Sequence, residues 1–391
     1  MPWKEVKPME QKVLFIADYL REVSTITELC AYYGISRKTG YKWIQRYEQL
    51  GLDGLSEQSR SPARCPTKTP YRIQQAIIEL RQQFQTRPGA KKLQVLLAQR
   101  YPHEVIPSKS TIYNILSRAG LVQARRRRRR VTPYPQPFAP VKQVNGLWSV
   151  DYKGQFKLGN GQWCYPLTVM DHQSRYLCGC EALKGTRLKD TQAAFIRLFR
   201  QYGLPERIRS DNGVPFASTA RGGLSRLSLW WIKLGILPER IEPGKPQQNG
   251  RHERMHRTLK QAATRPPSAS LKAQQQRLDR FRAEYNEQRP HEALGQQTPA
   301  SCYSSSLRSY PERLPELHYP DYFEVRKVSS NGVVYWHNKM VYVSHLLKGE
   351  PVGLEQVDDG IWQVYFGPVT LGRFDETDVK GKTVPYITVK V

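Results

Sequence analysis

The sequence predicts a multidomain chain: an α-helical N-terminal region, a mixed α/β middle and a small all-β C-terminal end. Three observations predict it. Apolar residues recur at helical spacing in two separate blocks before residue 122. From about residue 145, short apolar runs bounded by turns take over, and helices then alternate with strands. Beyond residue 320 only short strand-like runs remain, about ten residues apart. At 391 residues the chain has room for two to four domains.

Composition narrows the partner. The chain holds 61 Lys and Arg against 34 Asp and Glu, a net charge of +27. A hydrophobic fraction of 39% with 10% aromatics suffices for packed cores. No run approaches the roughly 20 apolar residues of a membrane helix, and the N-terminus lacks the apolar core of a signal peptide. No membrane partner and a cytoplasmic, nucleoid-associated location are therefore expected. Cys30, Cys65, Cys164, Cys178, Cys180 and Cys302 show neither zinc-type nor disulfide-framework spacing, which suits a reducing compartment. A large positive excess predicts a polyanion, with nucleic acid as the default. The charge is +15 over 1–140, +13 over 141–320 and −1 over 321–391, so the polyanion is expected on the first two thirds.

Residues 8–50 read as three helices. Val13, Ile16, Ala17 and Leu20 share one helical face, and Ile26, Leu29, Cys30 and Tyr33 continue the pattern. Gly34 breaks it and Ser36 caps a basic third helix. Two short helices, a Gly turn and a basic helix predict a helix-turn-helix over 1–55. Arg37, Lys38, Lys42 and Arg46 would face DNA, with Tyr41 and Ile44 inward. A Gly/Ser/Pro-punctuated linker covers 56–69. The pattern then repeats over 70–122, where Lys109, Tyr113, Asn114 and Arg118 of a Ser108-capped helix would face DNA. One such pattern is common by accident, and two in series are not. A basic Arg/Pro-rich linker spans 123–142. Its six arginines, Arg125, Arg126, Arg127, Arg128, Arg129 and Arg130, can only be solvated or neutralise phosphates.

The middle of the chain, 143–305, begins with three strand-like runs, GLWSVDYKGQFKL, QWCYPLTVMD and SRYLCGCEAL. They are apolar on both faces, as in a sheet covered on both sides. A helix ending at Gly203, a strand at PERIRS, a helix at LSLWWIKLGI, an extended ERIEP and a helix at RHERMHRTLKQAAT come next. That order predicts a ribonuclease-H-like fold. Asp151 lies in the first strand, Asp211 just beyond a strand, and Glu253 in the first turn of a helix. Strand ends and helix starts are where an open sheet gathers its active site. Three convergent carboxylates suit two divalent metals that clamp the attacking and leaving oxygens of a phosphoryl transfer. Hard oxygen donors select Mg2+ or Mn2+. On the helix around Glu253, Met255, Leu259 and Ala262 share an apolar face, while Arg257 and Lys260 flank the acid. Lys245 and Asn249 in the loop before it are further candidates for DNA contact.

The same helix carries His252-Glu253-x-x-His256, the pattern of a zinc protease. Its three fixed residues sit in a very basic stretch with no assigned third ligand, so it ranks below phosphoryl transfer. Asp171 reads as a turn residue, and Asp190 as an acid inside a helix's first turn. Cys178 and Cys180 read as small hydrophobes on one face of a strand.

WSVDYKGQF around Asp151, PLTVMDHQSRYL, IRSDNGVPFAS around Asp211, PGKPQQNGRHERMHRTLK around Glu253 and YNEQRPHEALGQQTPASCY resemble, in order, the catalytic core of DDE transposases and retroviral integrases. The chain is most similar to bacterial insertion-sequence transposases of that superfamily. The resemblance implies that Asp151, Asp211 and Glu253 are the three metal-binding acids, with two Mg2+ or Mn2+ ions per site. It implies metal-dependent cleavage and strand transfer, double-stranded DNA partners (terminal inverted repeats and target) and a homo-oligomer assembled on DNA. The 42 residues from Asp211 to Glu253 exceed the family's interval. A domesticated DNA-binding protein that keeps the fold without catalysis is the alternative.

The end of the chain, 306–391, predicts short strands with hairpin turns at Asn331-Gly332 and Asp359-Gly360. Their spacing predicts a small β-barrel, similar to the C-terminal barrel of integrases. Near-neutral charge points it toward subunit contacts more than DNA.

Overall fold

The computed structural model describes residues 8–22, 24–57, 68–122, 140–218, 223–337 and 339–376. Arg125 to Arg130 lie outside the described residues. Two compact units divide the chain, 1–68 and 69–391.

The first unit holds α1 (Pro8–Leu20), α2 (Ile26–Tyr32) and α3 (Arg37–Leu50). Thr25 and Glu28 form a capping box at α2, and Ser36 accepts the Thr39 N–H at the start of α3. The core is Phe15, Ile16, Leu29, Cys30, Trp43, Ile44 and Leu55. This corrects the expected faces. Val13, Leu20 and Tyr41 are 37%, 57% and 56% exposed. The buried face of α1 is turned about one residue, because Phe15 and Tyr19 bury more apolar area than Val13 and Leu20. On α3, Trp43 takes the inward place, with Lys12 Nζ 3.8 Å from its ring centroid. Gly40 lets α3 come close, since a Cβ there would stand 2.5 Å from Cys30 Sγ.

The second unit opens with α4 (Tyr71–Gln83), α5 (Ala90–Arg100) and α6 (Lys109–Arg118), packed around Ile77, Leu93, Leu97 and Ile112. The Ser108 hydroxyl caps α6 by accepting the Thr111 N–H at 3.3 Å. Glu284 docks this bundle on the remainder of the unit, accepting the backbone N–H groups of Gln85 and Thr86 at 2.7 and 2.8 Å.

The sheet comes next: β1 (Trp148–Tyr152), β2 (Phe156–Lys157), β3 (Trp163–Asp171), β4 (Leu177–Leu183), β5 (Arg207–Ser210) and β6 (Leu237–Arg240). β1 and β2 run along one side of β3, and β4 along the other. β3 is antiparallel to all three, while β1, β5 and β6 are mutually parallel neighbours in that order. Helices α7 (Leu188–Tyr202) and α8 (Arg226–Lys233) cover one face through Phe195, Phe199 and Trp231. Helices α9 (Gly250–Ala263) and α10 (Leu271–Ala283) cover the other through Met255, Leu259 and Phe281. Period-two alternation sorts β1: Trp148 and Val150 join the α7–α8 core, which leaves Ser149 and Asp151 for the α9 side.

β4 is an edge strand, and its outer backbone groups need partners. Two side-chain amides supply them. Asn286, in the π-helical turn Glu284–Gln288, accepts the Leu177 N–H at 2.8 Å and donates to Leu177 O at 3.1 Å. Gln275 of α10 does the same for Ala182 N–H and Cys180 O. A bulge opposite Val169 and Met170 reverses the alternation in β4. Cys178 therefore joins the α7 side and Cys180 the α9 side, not one shared face. At the bulge, Gly179 lies under Leu198, whose Cδ1 would stand 2.7 Å from a Cβ.

Strands β7 (Glu324–Lys327), β10 (Pro351–Asp358), β11 (Ile361–Phe366) and β12 (Val369–Asp375) form an antiparallel sheet, and β8 (Val333–Trp336) pairs with β9 (Lys339–Tyr342) as a separate hairpin. Val334, Trp336, Val341, Leu354 and Phe366 fill one core between them. Among the described residues no strand pairing joins the hairpin to the sheet, so the all-β end is not closed into a barrel by hydrogen bonds. Asp359-Gly360 turns β10 into β11 as expected. Asn331-Gly332 instead leads from the sheet into the hairpin.

Helix α8 accounts for the long interval between Asp211 and Glu253. Leu227, Trp230 and Trp231 enter the core of the large sheet, while Leu229 and Ile232 enter the core of the β end. A helix apolar on all sides is buried on all sides.

Asn286→Leu strands the Leu177 N–H and C=O, each a loss of about 1–3 kcal/mol when left buried without a partner. Urea denaturation of the full chain is expected to show a lower midpoint, and an unchanged midpoint would refute the edge-sealing role.

Candidate active site

Asp151 stands in β1 opposite Thr168 of β3. Asp211 comes directly after the last residue of β5, and its Oδ1 accepts the Gly213 N–H at 3.1 Å. Glu253 lies exposed in the first turn of α9, where an acid suits the helix dipole. The three are electrostatic neighbours. Burial pushes the Asp151 carboxyl up to about 7, and the charges of Asp211 and Glu253 act in the same direction. Among the described residues, no group of three or more His, Cys, Asp and Glu side chains stands close enough to hold a metal ion together.

Donor chemistry fits a divalent cation here. The groups are hard oxygens, and the raised carboxyl of Asp151 marks negative charge that a cation would compensate. Asp151, Asp211 and Glu253 are the residues that could hold it.

The two histidines of the H-E-x-x-H pattern have another task. His252 is fully buried and His256 is 6% exposed. Thr168 Oγ1 stands 2.9 Å from Asp151 O, 2.7 Å from His252 Nε2 and 2.6 Å from His256 Nε2. A hydroxyl has one proton, and a carbonyl can only accept it. Thr168 therefore donates to Asp151 O, and both imidazoles donate their Nε2–H to Thr168. His252 Nδ1 stands 2.8 Å from the Ser149 hydroxyl, which also lies 3.2 Å from Met170 O. His256 Nδ1 faces Asp151 Oδ2 at 3.5 Å with a lone pair. Burial holds both rings neutral, His252 down to about 3 and His256 lower still. With both nitrogens of His252 engaged by hydroxyls, the zinc-protease alternative loses its ligand. The pair instead ties the helix bearing Glu253 to the strands bearing Asp151 and Thr168. A sequence signal existed: His at i and i+4 on a helix, opposite small hydroxyl residues on strands.

The remaining candidates divide. Arg257 and Lys260 are exposed on the Glu253 side of α9. Arg37, Lys38 and Lys42 are exposed on α3, and Lys109, Tyr113, Asn114 and Arg118 on α6. Arg46 is half-buried, 5.2 Å from the Trp43 ring centroid. Lys245 pairs with Glu242. Asn249 is 5% exposed and does not face solvent, because the loop winds into a 3-10 turn, Pro246–Asn249, that packs inward. Asp171 is a buried turn residue that accepts from Asn145 N–H, Ser174 N–H and the Ser174 hydroxyl. Among the described residues no helix is long and apolar enough to cross a membrane.

The chain is similar to several known proteins. Two profiles described as integrase core domain match residues 141–246 and 234–299. A helix-turn-helix domain profile matches 11–63, and a homeodomain-like one 39–116. The chain is 28% identical over 257 residues to an uncharacterized 39.2 kDa protein of insertion element IS476 from Xanthomonas euvesicatoria, covering 64% of this chain and 69% of that one. It is 28% identical over 214 residues to an uncharacterized 31.7 kDa protein of insertion element IS407 from Burkholderia multivorans, covering 54% and 74%. Among solved structures, the HTLV-2 integrase catalytic core domain in complex with magnesium aligns at 17% identity and TM-score 0.33, over 40% of this chain and 95% of that one. A simian T-cell lymphotropic virus intasome aligns at 18% identity and TM-score 0.37, over 74% and 91%.

An integrase core with helix-turn-helix domains before it defines a DNA-handling enzyme of the polynucleotidyl transferase type. Residues 141–299 match the integrase core domain, and the chain is similar to proteins of bacterial insertion elements.

Two outcomes are expected. Thr168→Val orphans two buried imidazole N–H groups, at about 1–3 kcal/mol each, and is read as a lower thermal midpoint. Mn2+ is expected to raise the midpoint of the wild-type chain and not that of Asp151→Asn. Because the Asp151 carboxyl is pushed up to about 7, its proton competes with the cation below that pH. The Mn2+-induced rise should therefore grow as pH increases through about 7. No rise at any pH would refute the metal assignment.

Proposed function

We propose that this protein is a DDE transposase that binds the terminal inverted repeats of a mobile element, cleaves DNA at their ends and joins them to target DNA. The observation that carries the proposal is the electrostatic influence of two acids, from two other elements, on a third. Asp151 of β1 carries a carboxyl whose proton affinity is raised by burial and by the charges of Asp211, after β5, and Glu253, on α9. That site lies within the stretch that matches integrase cores.

Asp151, Asp211 and Glu253 would hold two divalent cations, Mg2+ or Mn2+, which when bound supply Lewis acidity at a phosphate and at an oxygen nucleophile. This chain's own residues position and neutralise. Thr168 fixes the Asp151 carbonyl, and His252 and His256 hold α9 against the same hydroxyl. Arg257 and Lys260, on the Glu253 side of α9, are placed to grip phosphates of the strand being cut. Positioning and charge neutralisation carry such chemistry, so no protein nucleophile is required.

The basic outward residues of α3 and α6 supply the DNA grip of the two helix-turn-helix units. Both ends of an element must be held together, so the protein works as a homo-oligomer assembled on DNA. The near-neutral β end suits contacts between subunits. Such an enzyme acts in the bacterial cytoplasm, at the nucleoid.

Asp151→Asn, Asp211→Asn and Glu253→Gln are each expected to lower Mn2+-dependent cleavage and strand transfer by about 10^3-fold or more, since the acids act as a unit. DNA affinity should stay near that of the wild type. The assay uses DNA from the gene's own flanks. Retained cutting by Glu253→Gln would overturn the site assignment, and tight binding without cutting by the wild type would favour a non-catalytic DNA-binding protein.

A further inference from the structure

At about 100° per residue, Arg251, Arg254 and Thr258 lie on the side of α9 away from Glu253, Arg257 and Lys260. They face a cavity of about 950 Å3, near the upper end of the range for ligand pockets. Six cationic side chains line it: Lys92 of α5, Arg175 of the β3–β4 turn, Arg209 of β5, Arg251, Arg254, and Arg289 after the π-helical turn. One carboxylate, Glu292, lines it with them, and Glu292 pairs with Lys91 at 2.5 Å.

The positive charge is poorly compensated from within. Arg209 pairs with Glu239 at 2.9 Å. Among the described residues, Arg175, Arg251 and Arg254 form no ion pair with any carboxylate. The Arg175 and Arg251 guanidinium groups both donate to one carbonyl, His172 O. His172 is 9% exposed, and its Nδ1 meets no hydrogen-bond partner. His291 Nε2, also on a lining residue, is buried and unpartnered. Burial and the neighbouring cations push His172 down to about 3, and burial with Arg289 pushes Lys92 down to about 7.

Arg251 and Arg254 are exposed at the mouth of the cavity, Lys92, Arg175 and Arg289 are half-buried, and Arg209 is buried. Buried polar nitrogens are ordinarily hydrogen-bonded, and His172 Nδ1 and His291 Nε2 on this lining are not. The cations of the cavity come from five separate elements, so one small anion would leave most of them unmatched. A DNA strand offers one negative charge about every 3.4 Å of its length. We propose that this cavity is a binding groove for the phosphodiester backbone of a DNA strand, distinct from the carboxylate site across α9. The choice of DNA as the polyanion rests on the function proposed above. Helix α9 would then carry an acid of the cutting site on one side and grip a strand on the other, with the helical bundle of Lys92 closing the groove.

The test is binding of the full chain to a fluorescein-labelled duplex of arbitrary sequence, measured by anisotropy between about 50 and 200 mM salt. In Arg251→Gln/Arg254→Gln, the slope of log K against log salt should fall by about 2, with affinity lowered roughly uniformly across sequences. Lys272→Gln/Arg280→Gln, exposed on α10, removes equal charge elsewhere and should leave the slope near the wild-type value. An unchanged slope in the cavity variant, or an equal fall in the control, overturns the groove.

Should the cavity variant fail to fold, phenylglyoxal modification of the wild type decides. The duplex should protect Arg251 and Arg254, as read by mass spectrometry. Equal modification with and without duplex, or equal protection by inorganic phosphate, overturns the proposal. Mn2+-dependent cleavage by the same preparations separates the two ideas. Normal cutting with an unchanged slope rejects the groove and leaves the transposase. A reduced slope in a chain that never cuts supports the groove and rejects the catalysis.

Discussion

One hydroxyl group ties the strand that carries Asp151 to the helix that carries Glu253. Thr168 Oγ1 donates to the backbone of the strand bearing Asp151 and accepts from two imidazoles of the helix bearing Glu253. The contact lies in a buried layer, where such bonds are strong and a missing partner is costly. It works only because three conditions coincide. The strand period puts Ser149 and Asp151 on the α9 side, β3 pairs in the register that sets Thr168 opposite Asp151, and both histidines stay neutral. Shifting the pairing by one residue would turn Thr168 to the other face and break the contact.

The same economy appears at the edges of the sheet. Asn286 and Gln275 complete the backbone hydrogen bonds of β4 from helical segments, so a strand that could recruit another chain is sealed. The turn that places Asn286 also places Glu284, which docks the α4–α6 bundle through two backbone N–H groups. At the opposite side, α8 is shared between the core of the sheet and the core of the β end. The helical bundle and the β end are thus fastened to the sheet by short segments buried on more than one side.

Charge is distributed with comparable economy around α9. One side holds Glu253 beside Arg257 and Lys260, the inward side holds the neutral histidines, and the third holds Arg251 and Arg254. A net charge of +27 is therefore not a uniform coat. It is concentrated where carboxylates are few, and the acids of the site lie in a positive surround that favours a polyanion's approach.

The order of helices and strands was legible because periodicity is a local property: residues three and four apart, or two apart, report their own element. The positions of Asp151, Asp211 and Glu253 at a strand, a strand end and a helix start were legible for the same reason. Faces were less so. Val13 and Leu20 fitted a helical stripe, yet Phe15 and Tyr19 won the core because larger rings bury more area. Cys178 and Cys180 were split by a bulge that no alternation pattern contains. Asn249 looked like a loop residue and was wound inward. The partnership of Thr168 with His252 and His256, and the gathering of Lys92, Arg175 and Arg289 behind α9, join residues from 83 to 197 positions apart, apart from the two histidines on their shared helix. By itself the sequence determined which segments are helix or strand, where the acids stand and what sign of partner the chain seeks. Only the tertiary structure decided which side chains share a hydrogen bond or a cavity, because those depend on strand register and helix rotation, which are set by packing between distant segments.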